Sequence, residues 1–367
     1  MNIDNINLNI NNNLISKIDI YDDYSIHLTH NSNQYNDIIS SYSSIFIFTQ
    51  DSCSIHLSSV DNNDLIKTFI LKDKESCKSI DQLKEIFDFL TLNKCNKDSL
   101  IIGFGGGTVL DVVGFVASIY MRGIDHVFFP TTLLSMVDAA IGGKTAINYN
   151  NIRNLIGSIN HPKHIIIILK YLKSLPKEEL LNGFAEIVKY ALIRDENLFN
   201  ELENNIEDLY PKYGGFDDVD INIKALEHII VQCIKHKVHI VSQDEHDIGL
   251  RKILNFGHTV GHAIESCSNY NISHGLGVFY GMKVAAHISL ELNKINEDSY
   301  NRIISLIDYF NCPKIDNLNF EKIITFLLHD KKIIGDKINY IILDNIGAAS
   351  IIEDLNIEII RNSLKVL

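Results

Sequence analysis

The 367-residue chain predicts an α/β N-terminal domain built on a parallel, Rossmann-like sheet, followed by a mainly α-helical C-terminal domain. Three observations predict it. Short apolar runs ending in glycine or small polar residues alternate with helical stretches up to about residue 176. Beyond Leu175-Pro176 the pattern changes to long amphipathic helices, and short apolar runs return only near the end. A hydrophobic content of 46% over this length allows a sizeable core in each of two domains, placed at 1–176 and 177–367.

Taken in order, Ile45-Phe-Ile-Phe-Thr-Gln50 reads as a buried parallel strand running into a small polar loop. Thr68-Phe-Ile-Leu-Lys72 is a second strand, followed by a loop holding Lys74, Glu75 and Lys78, and a helix from about Ile80 to Leu90. Ser99-Leu-Ile-Ile-Gly103 is a third strand, which runs into Gly105-Gly106-Gly107 and then a helix. Consecutive glycines let backbone approach a phosphate, and the helix N-terminus offers unpaired N–H groups. Thr108 replaces the last glycine of a Gly-x-Gly-x-x-Gly fingerprint, so a tight turn and a nucleotide site both fit at this point. His126-Val-Phe-Phe-Pro130 ends in Thr131-Thr132, again at the carboxyl edge where open α/β sheets bind ligands. Asp138 to Lys144 resembles half a phosphate loop without its first glycine, and Ile165 to Leu169 is the last strand of this half.

In the second half, Ser174-Leu-Pro176 starts a helix on which Asn182, Glu186 and Lys189 share a face. Glu186 has apolar or small neighbours, so its carboxylate needs either Lys189 or a cation as partner. Further on, Arg251, Asn255, His258, His262 and Glu265 follow helical spacing and predict a single polar face across 251–265. A His-x-x-x-His pair alone is a weak metal signal, but Glu plus two His with an open position is a catalytic zinc set, and His274 offers a third point. His27, His30, His161, His164, His236, His239 and His246 read as surface or packing residues.

The net charge of −13 argues against nucleic acid and anionic membranes as partners, so an anionic substrate must be held by local lysines and arginines. Six scattered cysteines without Cys-x-x-Cys spacing indicate reduced thiols in the cytoplasm. The N-terminus lacks the basic and apolar blocks of a secretory signal, and no apolar run approaches the ~20 residues a membrane span requires. The Ile, Asn and Lys richness runs through the whole chain and reads as compositional bias.

Together these motifs resemble the dehydroquinate synthases of the sugar-phosphate cyclase family, in order and from about residue 45 onward. They comprise Glu75-x-x-Lys78, Gly105-Gly-Gly107-x-x-x-Asp111, Arg122-Gly, Pro130-Thr-Thr132 and Asp138-x-x-x-Gly-Gly-Lys144. They continue with Asn154-Leu-Ile-Gly, Ala185-Glu186-x-x-Lys189, Asn255-Phe-Gly-His258-x-x-Gly-His262-Ala-Ile-Glu and His274-Gly. The resemblance implies bound NAD, a divalent metal (Zn2+, or Co2+) and a sugar acid phosphate as substrate. It implies transient oxidation of a ring hydroxyl, β-elimination of phosphate, return of the hydride and an intramolecular aldol closure, with NAD not consumed. A cytoplasmic homodimer is also expected by this likeness.

Residue by residue, Glu186, His258 and His274 match metal ligands. Gln50, Glu75, Lys78, Gly106, Gly107, Thr108, Asp111, Thr131, Thr132, Arg153, Tyr171 and Ser174 match cofactor contacts. Arg122, Asp138, Lys144, Asn154, Lys189, Lys237, Arg251, Asn255, His262 and one of Lys331 or Lys332 match the substrate shell. Three positions depart from the family pattern: Gln50 stands for an Asp, Arg153 for a Lys and Leu276 for a Glu. Other sugar-phosphate cyclases, a metal-dependent NAD polyol dehydrogenase of related fold, and an inactive family member are the alternatives.

Overall fold

The apolar runs of the first half are strands in the computed structural model, which describes residues 14–21, 24–29, 40–57, 64–150, 152–211, 222–268, 271–313, 319–329 and 337–367. The chain divides into two compact units, Met1–Leu175 with Lys237–His239, and Pro176–His236 with Ile240–Leu367.

In the first unit the strands are β1 (Leu14–Tyr21), β2 (Tyr24–Thr29), β3 (Ser44–Gln50), β4 (Ile66–Leu71), β5 (Ser99–Gly105), β6 (His126–Pro130), β7 (Lys144–Tyr149), β8 (Ile152–Ile159) and β9 (His164–Ile168). Among the described residues, seven of them form one sheet in the order β1-β2-β9-β6-β5-β3-β4. The strands from β2 to β4 in that order pair in parallel, while β1 runs antiparallel to β2, so the sheet is parallel-dominated. β5 is buried along its whole length, as a strand covered on both faces must be. Helix α1 (Ile80–Leu92) starts where the Ser79 hydroxyl accepts the Gln82 N–H, and α2 (Gly107–Ile119) starts directly off β5. β7 and β8 make a separate antiparallel ribbon that the apolar pattern did not announce, because β8 is largely exposed.

β2 was equally silent in the sequence. Ser25 and His27 interrupt its apolar run, yet both are buried. The Ser25 Oγ lies 2.8 Å from His27 Nε2 and 2.9 Å from His164 Nδ1, so one hydroxyl serves two imidazoles. Burial, reinforced by His164, lowers the His27 pKa to about 4, and burial lowers that of His126 to about 3. The unfolded chain therefore takes up protons first as the medium acidifies. Stability from these rings is present above about pH 6.5 and is lost as pH falls toward 4. Thermal unfolding followed between pH 7 and 4 should show this loss, with a shallower slope in a His27→Gln variant; equal slopes would contradict it.

The second unit contains α3 (Lys177–Arg194), α4 (Glu196–Leu209), α5 (Ile223–Gln243), α6 (His258–Cys267), α7 (His274–Glu291), α8 (Glu297–Tyr309), α9 (Phe320–His329) and α10 (Ile357–Ser363). The last apolar runs form an antiparallel ribbon of β10 (Lys337–Asn345) and β11 (Ala348–Asn356). α3 is buried all round from Leu180 to Ile193, which makes it the central helix of this unit. Each fully buried Leu, Ile, Val or Phe there contributes roughly 1.5–3 kcal/mol of burial. Glu186 and Lys189 lie within that buried stretch. All six cysteines are free thiols, and no described helix is long and apolar enough to cross a membrane.

Candidate active site

In the first unit several of the predicted cofactor residues lie around the end of β5. Gly106 is the N-cap of α2, and a Cβ there would stand 3.1 Å from the Thr132 methyl; one on Gly107 would stand 3.0 Å from Ala139 Cβ. The loop is crowded on its own side, so glycine is needed for close approach and not for an unusual φ. Thr131 N–H donates to Gly105 O at 3.0 Å, tying the ends of β5 and β6 together. The Thr132 and Ser135 hydroxyls bond to each other at 2.8 Å. Lys78, almost fully buried, reaches Asp111 Oδ2 at 2.7 Å and also donates to Asn154 Oδ1. Asn154 holds φ 51, and its N–H is fixed by Asn148 Oδ1; Asn148 in turn donates to Glu75 at 2.8 Å. Glu75, Lys78, Asp111 and Asn154 therefore form one network, with Asn148 as a member the motifs did not reveal.

Gln50 ends β3, and extending the Phe48–Gly103 register by two residues sets it level with Gly105. Its Nε2 donates to Lys72 O at 2.8 Å and Lys74 O at 3.0 Å. The amide hydrogens are thus committed to the chain, and among the described residues the amide oxygen has no hydrogen-bond donor. Tyr171 and Ser174 share a short 3-10 segment and both meet His56, at 5.0 Å between ring centroids and 3.2 Å from Ser174 Oγ to Nε2. His56 carried no signal in the sequence beyond its place just after β3. Asp138 and Lys237 are paired with each other. Lys144 and Arg153 are exposed on the ribbon. Arg122 is exposed with φ 63, and among the described residues no hydrogen bond or ion pair ties it to the rest of the set. Lys331 and Lys332 lie outside the described residues.

In the second unit Glu186, His258 and His274 converge. One donor atom from each lies within 4.8 Å of the others. Glu186 Oε1 is 3.2 Å from His258 Nε2 and 3.3 Å from His274 Nε2. Its other oxygen faces the ammonium of Lys189. Lys189, one of the two alternatives expected for Glu186, thus sits on one carboxylate oxygen, while the two histidines expected to share a cation with it face the other. Burial opposes ionisation of Glu186, but Lys189 and the two histidines hold its carboxyl well below the usual range. His258 donates Nδ1–H to Phe256 O at 3.0 Å, which turns Nε2 toward Glu186. One carboxylate with two Nε2 atoms is a fitting set for a divalent cation.

Close helix crossing creates this convergence. A Cβ on Gly261 would come within 2.7 Å of Gly277 O, and one on Gly281 within 1.7 Å of Gly257 O, so α6 and α7 approach at backbone distance. At the head of α7, Asn182 Oδ1 accepts the Gly275 N–H at 2.7 Å and anchors the turn that carries His274.

The continuous helical face expected over 251–265 is not formed. Leu250–Asn255 is a 3-10 segment, Phe256 and Gly257 break it with Gly257 at φ 76, and α6 begins only at His258. Arg251 and Asn255 therefore belong to a different element from His258, His262 and Glu265. Gly257 was the available sequence signal, since only glycine adopts that φ readily. Asp244, overlooked in the sequence, organises the Arg251 turn. Its carboxylate accepts N–H groups from Ile248 at 3.0 Å, Gly249 at 2.7 Å and Arg251 at 3.0 Å. Arg251 itself is buried and donates Nη1–H to Glu245 O at 2.7 Å. His262 is exposed, with its ring centroid 5.2 Å from that of His258 and 6.0 Å from that of His274.

The fold places the chain in a structural class that includes two solved synthases of low sequence identity. It superposes with a TM-score of 0.82 and 21% identity on 2-epi-5-epi-valiolone synthase from Streptomyces hygroscopicus subsp. jinggangensis 5008, solved with NAD+ and Zn2+, covering 94% of this chain and 96% of that one. The match to 2-deoxy-scyllo-inosose synthase complexed with carbaglucose-6-phosphate, NAD+ and Co2+ is equal in TM-score, at 0.82, with 22% identity and coverage of 93% and 97%. Sequence narrows the class. Residues 68–182 match the 3-dehydroquinate synthase N-terminal family and residues 183–333 the 3-dehydroquinate synthase C-terminal family. A 3-dehydroquinate synthase of Prochlorococcus marinus (strain MIT 9215) is 40% identical over 299 residues, 80% of each chain. The chain belongs to the 3-dehydroquinate synthase family.

Proposed function

We propose that the chain converts 3-deoxy-D-arabino-heptulosonate 7-phosphate to 3-dehydroquinate and phosphate, as a carbon–oxygen lyase that uses NAD and a divalent metal. The observation that carries the reading is the convergence of Glu186, His258 and His274, found in a chain 40% identical to a 3-dehydroquinate synthase. Residues 1–176 would bind NAD and residues 177–367 the metal and substrate. Support for the cofactors comes from the two cyclases of like fold, which carry NAD+ with Zn2+ or Co2+.

When bound, NAD would supply a reversible hydride acceptor and the metal a Lewis acid for the hydroxyl being oxidised. The protein's own groups have separable tasks. Gly106, Gly107 and Thr108 would receive the pyrophosphate at the N-terminus of α2, and the Gln50 amide oxygen would accept from a ribose hydroxyl. Lys78 and Asp111, already paired, would contact the cofactor, and Asn154, to which Lys78 also donates, would contact the substrate. Glu186, His258 and His274 would hold the cation. Arg251 and Asn255, on one 3-10 segment, would bind the substrate carboxylate, and His262 would stand beside the phosphate. Each close ion pair contributes up to about 4 kcal/mol of gross attraction at an effective dielectric near 20, before desolvation. That is enough for a local cationic cluster to outweigh screened repulsion from the net charge of −13. Phosphate release from purified protein given this substrate, NAD and zinc is the test; no release would remove the assignment.

Metal affinity should depend on pH. Burial alone would lower the pKa of His274, but bonds to Glu186 and Glu265 push it up to about 9. The metal-free ring is then protonated at pH 7, and an incoming ion must displace that proton. Zinc affinity measured by chelator competition should therefore rise with pH, by about tenfold per unit, and level off near pH 9. A flat profile from pH 7 to 9 would contradict the ligand role of His274.

A further inference from the structure

The geometry points to Glu265 as the positioning residue of the metal centre: its buried carboxylate accepts the Nδ1 proton of His274, fixing ring and tautomer so that Nε2 faces the ion. This rests on the proposed reading of Glu186, His258 and His274 as ligands.

Glu265 lies on α6, seven residues beyond His258, and is 3% exposed. A buried carboxylate without a partner is costly, so its position needs a reason. Glu265 Oε1 stands 3.0 Å from His274 Nδ1, while His274 Nε2 stands 3.3 Å from Glu186 Oε1. A neutral imidazole has one N–H. With that proton on Nδ1 toward Glu265, the Nε2 lone pair is directed to the point shared by Glu186 and His258. The opposite tautomer would place a proton where the ion belongs. His258 receives the same service from a neutral acceptor, the Phe256 carbonyl. His274 instead leans on an anion, which makes its Nε2 the stronger donor.

The helix crossing is built to admit this contact. A Cβ on Gly277 would stand 3.0 Å from Glu265 Cγ and 3.3 Å from its Oε1, so glycine at 277 keeps the carboxylate uncrowded beside α7. A rival role exists, because His262, Glu265 and His274 also offer donor atoms within 4.8 Å of one another. Glu265 would then ligate a second cation. That would require His274 to give up its last proton and bind through both nitrogens at once, whereas a positioning role needs only the neutral ring.

The test compares the full-length protein with Glu265→Gln and Glu265→Ala variants. Zinc affinity is read by competition with a chromophoric chelator, and the cobalt-loaded proteins are compared by visible absorption. Glu265→Ala should weaken zinc binding about 10- to 100-fold. Glu265→Gln, of the same size and still offering an oxygen to Nδ1–H, should lose less and keep its fold, so it decides the matter if the alanine variant does not fold. The cobalt bands should shift in both variants, at one metal per chain. Wild type that binds zinc no more tightly than either variant would overturn the positioning role. So would two zinc ions per wild-type chain with only the weaker lost on substitution. Wild type that binds no zinc would instead overturn the metal reading itself, and the role of Glu265 with it.

Discussion

A Glu186→Gln variant is expected to lose bound metal, activity and stability together. Glu186 faces both proposed histidine ligands through Oε1 and Lys189 through Oε2. Its replacement by an amide of the same size removes the charge that a divalent cation needs. A Lewis acid is worth several kcal/mol at the transition state, so kcat/KM should fall by roughly 10²- to 10⁴-fold. Lys189, only 2% exposed, would then keep a buried ammonium without its carboxylate. Breaking a buried pair from one side costs about 3–5 kcal/mol, which urea unfolding of the metal-free protein should register. Retention of zinc through dialysis together with full activity in this variant would refute the ligand assignment.

The second large effect is expected at Arg251. Three backbone N–H bonds to Asp244 fix the turn that presents it, and the guanidinium is buried beside the Glu245 carbonyl. Burial works against ionisation of Asp244, but those N–H groups hold its carboxyl below the usual range, so the turn keeps its anionic anchor at neutral pH. Truncating one side of a buried, hydrogen-bonded charge pair costs about 2–5 kcal/mol. Arg251→Ala should therefore lower kcat/KM by about 30-fold to several thousand-fold, without reducing zinc content. Arg251→Lys keeps the charge but loses the planar fork, and should recover only part of the loss. An alanine variant with undiminished kcat/KM would remove the carboxylate-binding role.

What the sequence made legible was whatever has a short-range signature. Continuous apolar runs marked β3, β5, β6 and β9, because parallel strands buried on both faces leave no polar alternation. The glycine loop, Glu186, His258 and His274 stood out because their residue types are out of place in apolar surroundings. β2 stayed hidden since Ser25 and His27 satisfy each other and His164 inside the sheet, a pairing that no local pattern reveals. The expected helix over 251–265 failed at Gly257, where a positive φ overrides a helical period that the side chains satisfy on both sides. Asp244 and Asn182 act on backbone N–H groups, at 2.7 Å in the tightest cases, and such anchors leave no trace in spacing. Lys189 and a cation shared with the histidines looked like rival partners for Glu186 because sequence cannot assign two carboxylate oxygens separately.

An enzyme of the proposed mechanism recycles NAD, so the amount of phosphate released per NAD separates it from a dehydrogenase. Zinc-loaded protein is mixed with 3-deoxy-D-arabino-heptulosonate 7-phosphate and NAD at a concentration far below that of the substrate, while phosphate and absorbance at ~340 nm are followed together. The expected result is many phosphates released per NAD with no net accumulation of NADH, because the hydride taken from the ring is returned to it. Phosphate release absent under these conditions, or NADH rising in step with turnover as a polyol dehydrogenase would give, would overturn the proposed activity.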